Sequence, residues 1–386
     1  MFLYQESGEG ISPIIRQQPI RLLSVAHGAK AKNDMDNNLS NIFKNYTVES
    51  VTSGHPDKIC DQVSDAILDA CMAQDPKSRV AIETFGAHGL FVIGGELTTT
   101  AKIDATAIAK KVYRSIGHKD ELKVITNIIT QSPDIALGVD TGGAGDQGIM
   151  YGFATNETPE YLPSAVALVH KLTRGLEELR KTKKIKWLLP DGKAQITIAN
   201  SKIKTVLVST QHKKGIPLAT IRREITNKLI KKVIGNIKNI EILVNPTGNF
   251  VIGGFVADTG LTGRKIMVDT YGGLIPHGGG AFSGKDPTKV DRSGAYMCRF
   301  VAKNLVAHGL AKSALVSVAY AIGKVEPLMI EAKDENGKSL TAYVKKHFDF
   351  RPLAIIEKLK LRSPIYQQTA SYGHFGKKDL PWEIVE

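Results

Sequence analysis

The chain has 386 residues, 42% of them apolar and 23% charged, with a formal net charge of +13. That length exceeds one ordinary core, so several packed domains are expected, and the composition excludes bulk disorder or a fibrous repeat. The positive charge admits polyphosphates, nucleic acid or an anionic membrane surface as partners without choosing among them.

No apolar run is long enough to cross a bilayer; the most apolar stretch, from Ala311 to Ile322, is short and contains Lys312. Arg16, Gln17, Gln18 and Arg21 interrupt any secretory h-region. Cys60, Cys71 and Cys298 are odd in number, lack CxxC spacing and sit in apolar patterns, as reduced core thiols do. A cytoplasmic protein that spans no membrane is expected.

Residues 1–40 mix Gly, Ser, Gln and Asn without periodicity, and are expected to be a disordered extension with Met35 a candidate start. A strand is predicted over 46–51, then a turn at Thr52-Ser53-Gly54 and a helix from Pro56, whose Ile59, Val63, Ala66, Ile67 and Ala70 recur at helical spacing. Strands follow over 79–83 and 90–93, and a helix over 104–116. The middle third reads as a helix over 164–184, strands over 194–198 and 205–210, and a helix over 218–234. The last third carries a Gly-rich region from Gly253 to Gly284, a helix over 292–308, a strand over 313–322 and a helix over 353–359. The pentapeptide Phe-Val-Ile-Gly-Gly occurs at 91–95 and again at 250–254, and 53–58 is echoed more weakly at 283–289, which suggests duplicated domains. Intermixed strands and helices without regular alternation favour an α+β fold.

The Gly279–Asp286 segment satisfies G-x-x-x-x-G-K but ends in Asp where a P-loop needs Ser or Thr, and no apolar strand feeds it. Its glycines and Lys285 and Lys289 still suit an anion, against the alternative of a flexible surface loop. Gly54-His55-Pro56-Asp57-Lys58 places an imidazole, a carboxylate and an ammonium at a helix start, where backbone N–H groups favour phosphate. Asp57, Asp61, Asp65 and Asp69 form one helical stripe, the later three reading as a wet face or salt bridges. Glu83 and Glu96 lie beside strands and read as exposed. Asp146, in Gly143-Ala-Gly-Asp-Gln-Gly148, is ambiguous. Asp191-Gly192-Lys193 and Gly263-Arg264-Lys265 read as cationic turns, and Phe250 as a core strand residue. No Ser-His-Asp or Cys-His pattern suggests covalent catalysis.

Taken in order, the segments 54–58, 94–96, 131–135, 143–148, 263–273 and 277–293, with Tyr372-Gly-His-Phe-Gly376 and Pro381-Trp-Glu383, resemble the methionine adenosyltransferase (S-adenosylmethionine synthase) family from about Tyr46 to Glu386. The resemblance implies three similar α+β domains related by pseudo-threefold symmetry, here 42–133, 142–251 and 253–386, and a homodimer or dimer of dimers. It implies synthesis of S-adenosylmethionine from ATP and L-methionine, with release of phosphate and diphosphate, and Mg²⁺ and K⁺ as cofactors. Matched by motif, His55, Asp191, Lys193, Phe250, Asp258, Arg264, Lys265, Ala281 and Lys285 fall on ATP positions, with His55, Lys285 and Arg264 in catalytic roles. Glu96, Gln131, Asp146, Asp258 and Lys289 fall on methionine positions, Asp57 and Asp291 on magnesium positions, and Glu83 on the potassium position. Three places depart from the family pattern. Only Val-Asp-Thr-Gly separates Gly138 from Gly143, a short gating loop; Asn249 stands where the family commonly has Arg; and 119–129 is compact and divergent. The rival reading, a basic nucleic-acid-binding protein, calls for aromatics among the basic residues, whereas the lysine-rich segments 181–186 and 228–238 have only Trp187 nearby.

Overall fold

The computed structural model describes residues 44–131 and 142–386. The expected N-terminal extension, Met35, residues 132–135 of one motif and residues 139–141 of the short gating segment lie outside them.

One pattern runs along the chain three times. The first pass is β1 (Tyr46–Val51), α1 (Pro56–Met72), β2 (Arg79–Ala87), β3 (Leu90–Thr98), α2 (Ala105–Ile116) and β4 (Lys123–Ile129). The second is β5 (Gly148–Thr155), α3 (Ser164–Lys181), β6 (Leu188–Ala199), β7 (Lys202–His212), α4 (Leu218–Ile225), α5 (Lys231–Ile234) and β8 (Glu241–Val244), with a π-helical turn joining α4 to α5. The third is β9 (Gly260–Leu261), α6 (Ile266–Asp269), α7 (Val290–Ala307), β10 (Ser313–Tyr320), β11 (Met329–Asp334), α8 (Thr341–His347) and α9 (Pro352–Lys358). Expectation and structure agree on every element predicted from periodicity, with ends shifted by a few residues. The strands β4, β5, β8, β9 and β11 and the short helices α6 and α8 were not anticipated.

The first strand of each pass is lent to another pass. Three sheets result, ordered β4-β3-β2-β9, β1-β6-β7-β8 and β11-β10-β5. Thus β1 joins the second pass, β5 the third and β9 the first, a cyclic exchange in which each lent strand pairs antiparallel with its host. In the first two sheets a hairpin is followed by a parallel strand, β4 on β3 and β8 on β7, reached through a helical crossover as parallel pairing requires. The long helices α1, α3 and α7 each pack on the sheet of their own pass and on its borrowed strand. The fold is α+β with pseudo-threefold symmetry, as expected.

Most of α1 is buried, including Asp57, Lys58, Asp61 and Asp65. The wet-face reading of the acidic stripe is therefore overturned for Asp61 and Asp65, and the salt-bridge alternative holds: Lys58 Nζ bonds Asp61 Oδ2 at 2.8 Å and Arg292 Nη1 bonds Asp65 Oδ1 at 2.7 Å. A helix covered on all sides must neutralise its charges internally. The three cysteines are free and buried, and no described helix is long and apolar enough to cross a membrane.

Two histidines away from the candidate site carry a pH signature. His170 of α3 meets the Ser50 hydroxyl at 2.9 Å, with Lys377 and Arg174 the nearest cationic influences, and burial pushes its pKa down to about 3. His374 meets the Tyr296 hydroxyl at 2.8 Å and is pushed down to about 4 by burial, against the opposing pull of Asp269. Both fold as neutral rings, whereas the unfolded chain takes up their protons near pH 6.5. Their contribution is complete above pH 6.5 and is lost as pH falls toward the folded values. The urea midpoint is expected to drop between pH 7 and pH 4.5, and His170→Asn should flatten that slope; an unchanged slope would contradict the assignment.

Candidate functional site

The turn before α1 is fastened on all sides. Thr52 N–H donates to Gly192 O at 2.9 Å and its hydroxyl to Pro190 O at 2.7 Å, which ties the turn to β6. A Cβ on Gly54 would stand 2.5 Å from the Pro190 backbone, so only glycine lets the turn lie this close. The Gly54 carbonyl sits 3.1 Å from Nε2 of His118, a buried ring stacked on Tyr113.

His55 caps α1: its Nδ1 accepts the Asp57 N–H at 3.2 Å, which assigns the imidazole proton to Nε2. Burial, then Lys265 and Lys193, hold its pKa near 2, so it is a neutral donor at working pH. Asp57, 1% exposed, receives Lys265 Nζ at 2.6 Å, Leu261 N–H at 3.0 Å and Arg264 Nε at 3.4 Å. Beneath them the Lys58 ammonium lies between Asp61 and Asp269, the latter a very short contact. Burial pushes Asp61 up to about 7; it opposes charge on Asp269 too, but Lys58 and His374 hold that carboxyl well below the usual range.

Asp191-Gly192-Lys193 is not a turn. It lies in β6 at a register shift, and Asp191 is buried with Oδ2 accepting Gly254 N–H at 2.9 Å and Oδ1 unpartnered. Burial pushes its pKa up to about 6. Phe250 is not a core strand residue either: it is partly exposed in the irregular chain after β8, its N–H bonded to His212 Nε2 at 3.1 Å. The second Phe-Val-Ile-Gly-Gly thus adopts no strand, while the first runs within β3.

The Gly-rich loop before α7 carries the second charged group. Lys285 Nζ bonds Asp291 Oδ2 at 2.6 Å, and Lys289 Nζ bonds Asp286 Oδ2 at 2.5 Å. A Cβ on Gly280 would stand 2.1 Å from the Asp291 carboxyl, so the loop's close fold over that acid depends on glycine. Asp286, where a P-loop would have Ser or Thr, is wholly buried and also takes the Val80 N–H at 2.7 Å, a structural anchor to β2. Lys285 bridges to Ala81, whose partner across the hairpin is Glu96. Gly263, next to Arg264, closes on Ala281, joining the loop to the His55 group.

The structure therefore brings His55, Asp57, Lys193, Arg264, Lys265 and Asp258 together, the last felt at His55 through its charge, with Asp191 beside Lys193. Lys285, Lys289, Asp291, Ala281 and Glu96 form the adjoining group. Glu83 is exposed on the same open sheet face as Glu96; Gln131 donates its N–H to Thr98, and Asp146 accepts from the Gln147 N–H in its own turn. Asn249 is exposed, and no described hydrogen bond links it to either group. The Lys58-Asp61-Asp269-His374 network escaped the sequence reading. Its one signal was a lysine and an aspartate one turn apart on a helix that is apolar on several faces.

The two groups set five cations beside five carboxyl groups, and cations such as Lys265, Arg264 and Lys285 can exchange a carboxylate for the oxygens of a highly charged substrate such as a polyphosphate. No group of three or more His, Cys, Asp or Glu side chains among the described residues could cage a metal. Magnesium needs only one or two carboxylates when substrate phosphates supply further oxygens, and Asp57 and Asp291, each facing a lysine, fit that donor set. Glu83 offers one exposed carboxylate to a potassium ion, which would need further oxygens beside it.

Three family descriptions match the chain: S-adenosylmethionine synthetase, N-terminal domain, over residues 44–133; the central domain over 141–250; and the C-terminal domain over 252–384. Among similar curated proteins, the S-adenosylmethionine synthase of Pseudothermotoga lettingae is 49% identical over 381 residues, covering 88% of this chain and 96% of that protein. The S-adenosylmethionine synthase of Thermus thermophilus is 48% identical over 377 residues, covering 88% and 95%. That of Clostridium tetani is 48% identical over 379 residues, covering 89% and 97%.

Proposed function

The chain belongs to the S-adenosylmethionine synthetase family, and from that premise we propose how its residues make S-adenosyl-L-methionine from ATP, L-methionine and water, releasing phosphate and diphosphate. The observation that carries the reading is the His55-Asp57-Arg264-Lys265 group on the start of α1, joined through Gly263 and Ala281 to Lys285 and Asp291.

The methionine sulfur displaces the triphosphate at C5′ of ATP, forming the S–C5′ bond as the C5′–O bond breaks, and water then cleaves one P–O bond of the bound triphosphate to give diphosphate and phosphate. A thioether is nucleophilic without deprotonation, so no protein nucleophile is required; the thiols are buried. Catalysis then consists of alignment and of fixed positive charge where the leaving group's negative charge grows. Neutral His55 donates from Nε2 to a triphosphate oxygen, and Arg264, Lys265 and Lys285 give up Asp57 and Asp291 as partners to meet the phosphates. Asp191, Lys193, Phe250, Asp258 and Ala281 complete the ATP site. Glu96, Gln131, Asp146, Asp258 and Lys289 orient methionine, the acids favouring its ammonium and the sulfonium product. Magnesium held by Asp57 and Asp291 with substrate oxygens would neutralise phosphate charge. No step is assigned to potassium or to Glu83.

A homodimer, or a dimer of such dimers, is part of the proposal. Phe85, Ile125 and Ile129 are 36%, 45% and 60% exposed on the sheet face that also bears Glu83 and Glu96, an apolar surface that a second copy would cover. The segments 42–133, 142–251 and 253–386 are its domains, and the cytoplasm its compartment.

Incubation with ATP, methionine, Mg²⁺ and K⁺ is expected to yield S-adenosylmethionine, one diphosphate and one phosphate by mass detection. ADP or AMP as the main nucleotide product would refute the reading.

A further inference from the structure

The Tyr372-Gly-His-Phe-Gly376 segment has no role in the chemistry above, yet it reaches the turn that carries His55. Every polar group of Ser53, two residues before His55, is held by a side chain lining one cleft of about 920 Å³. Ser53 N–H donates to Tyr372 Oη at 3.1 Å, its hydroxyl donates to Glu177 Oε1 at 2.8 Å, and its carbonyl accepts from Gln62 Nε2 at 2.7 Å. The Tyr372 hydroxyl in turn donates to Glu177 Oε2 at 2.6 Å. None of the candidate substrate residues lines this cleft.

We propose that Tyr372 and Glu177 are positioning residues that act as one unit, fixing the Ser53–His55 turn from behind and with it the His55 imidazole against the triphosphate. The inference rests on the reading of His55 given above.

Three features suit the pair to that task. Glu177 is shared by the turn, the C-terminal segment and α3, where Lys181 Nζ also meets it at 2.8 Å, so its carboxylate ties three parts of the chain together. Burial opposes its charge, but the hydrogen bonds from Lys181, Tyr372 and Ser53 hold its carboxyl below the usual range, so it is an acceptor at working pH. Tyr372 itself sits at φ 61°, a left-handed conformation that a bulky residue adopts only when its surroundings fix it. The Lys377 ammonium supplies that fixing, donating to the carbonyls of Gln368, Thr369 and Ser371 and closing the segment into a hoop. The phenol is thus presented from a rigid frame, and displacement of a catalytic group by even an ångström is costly to rate.

The test is steady-state kinetics of Tyr372→Phe, Glu177→Gln and the double variant, with melting temperature as the folding control. Tyr372→Phe keeps the ring and its stacking under Arg174 and removes one oxygen. Its kcat is expected to fall about tenfold or more with the KM for ATP and methionine nearly unchanged. Glu177→Gln should lower kcat similarly, and the double variant should be no worse than the poorer single one, because the residues act as a unit. Ser53→Ala, which leaves the backbone bond to Tyr372, should lose less. Wild-type kcat in a folded Tyr372→Phe protein, or strictly additive losses, would overturn the proposal. A lowered kcat that tracks the melting temperature across all the variants would also overturn it, since that marks a merely structural role. If the wild-type protein makes no S-adenosylmethionine, the reading of the site fails; if it does and Tyr372→Phe is indifferent, only this inference fails.

Discussion

Asp57→Asn is expected to lower turnover by on the order of 10²- to 10³-fold, the loss typical of removing one fixed electrostatic contributor from a transition state. The carboxylate is the shared counter-charge of Lys265 and Arg264 and accepts the Leu261 N–H at 3.0 Å. Asparagine preserves one carbonyl oxygen for Leu261 and the backbone bond to His55, so the helix start survives. It loses the charge that spaces the two cations and that would share in holding a hard cation against the phosphates. Lys265 and Arg264 are 18% and 50% exposed at the side chain and can turn to solvent, so the cost to stability should stay within about 1–3 kcal/mol. If Asp57 holds magnesium with substrate oxygens, half-maximal turnover will also require more Mg²⁺ than in the wild type. The checks are turnover across a magnesium titration and a melting curve. Wild-type turnover at ordinary magnesium in a folded variant would refute the role.

Asp65→Ala should be the most damaging change to stability, at about 3–5 kcal/mol. The Arg292 guanidinium is wholly buried and grips Asp65 through two bonds of 2.7 and 2.9 Å, with its Cζ 4.2 Å from the Tyr366 ring centroid. Burial works against that charge, but Asp65 and the neighbouring tyrosines hold its pKa above the ordinary arginine value, so the guanidinium cannot escape by losing a proton. The same carboxylate accepts the Gly284 N–H at 2.8 Å, so its removal also unfastens the Gly-rich loop from α1. Urea denaturation measures the loss. The paired change Asp65→Leu with Arg292→Met should recover much of it, because no uncompensated charge is then buried. A loss under about 1 kcal/mol for Asp65→Ala would show that the guanidinium finds another partner.

The amino-acid sequence determined the elements with strong period, the α+β class and the motif residues on which the family resemblance rests. Such features are local: Pro56 at a helix start, Ile59, Val63 and Ile67 on one face, and the glycines that precede Lys285 act on neighbours a few residues away. What the tertiary structure decided is non-local. The lending of β1, β5 and β9 to other passes depends on strand edges left open far along the chain, as in the pairing of Val51 with Lys193. Asp61 and Asp65 read as wet because an acid is costly to bury alone; Lys58, one turn away and buried with it, offsets that cost for Asp61, and Arg292, brought close only by folding, offsets it for Asp65. Asp191-Gly192-Lys193 read as a turn because glycine and aspartate favour turns; β1 and β7 on either side made it a strand. The second Phe-Val-Ile-Gly-Gly failed as a strand for the converse reason, since Gly254 packs on the His118 ring instead of a ladder. Tyr372 lies 319 residues from Ser53, so no local pattern could reveal its bond to the catalytic turn.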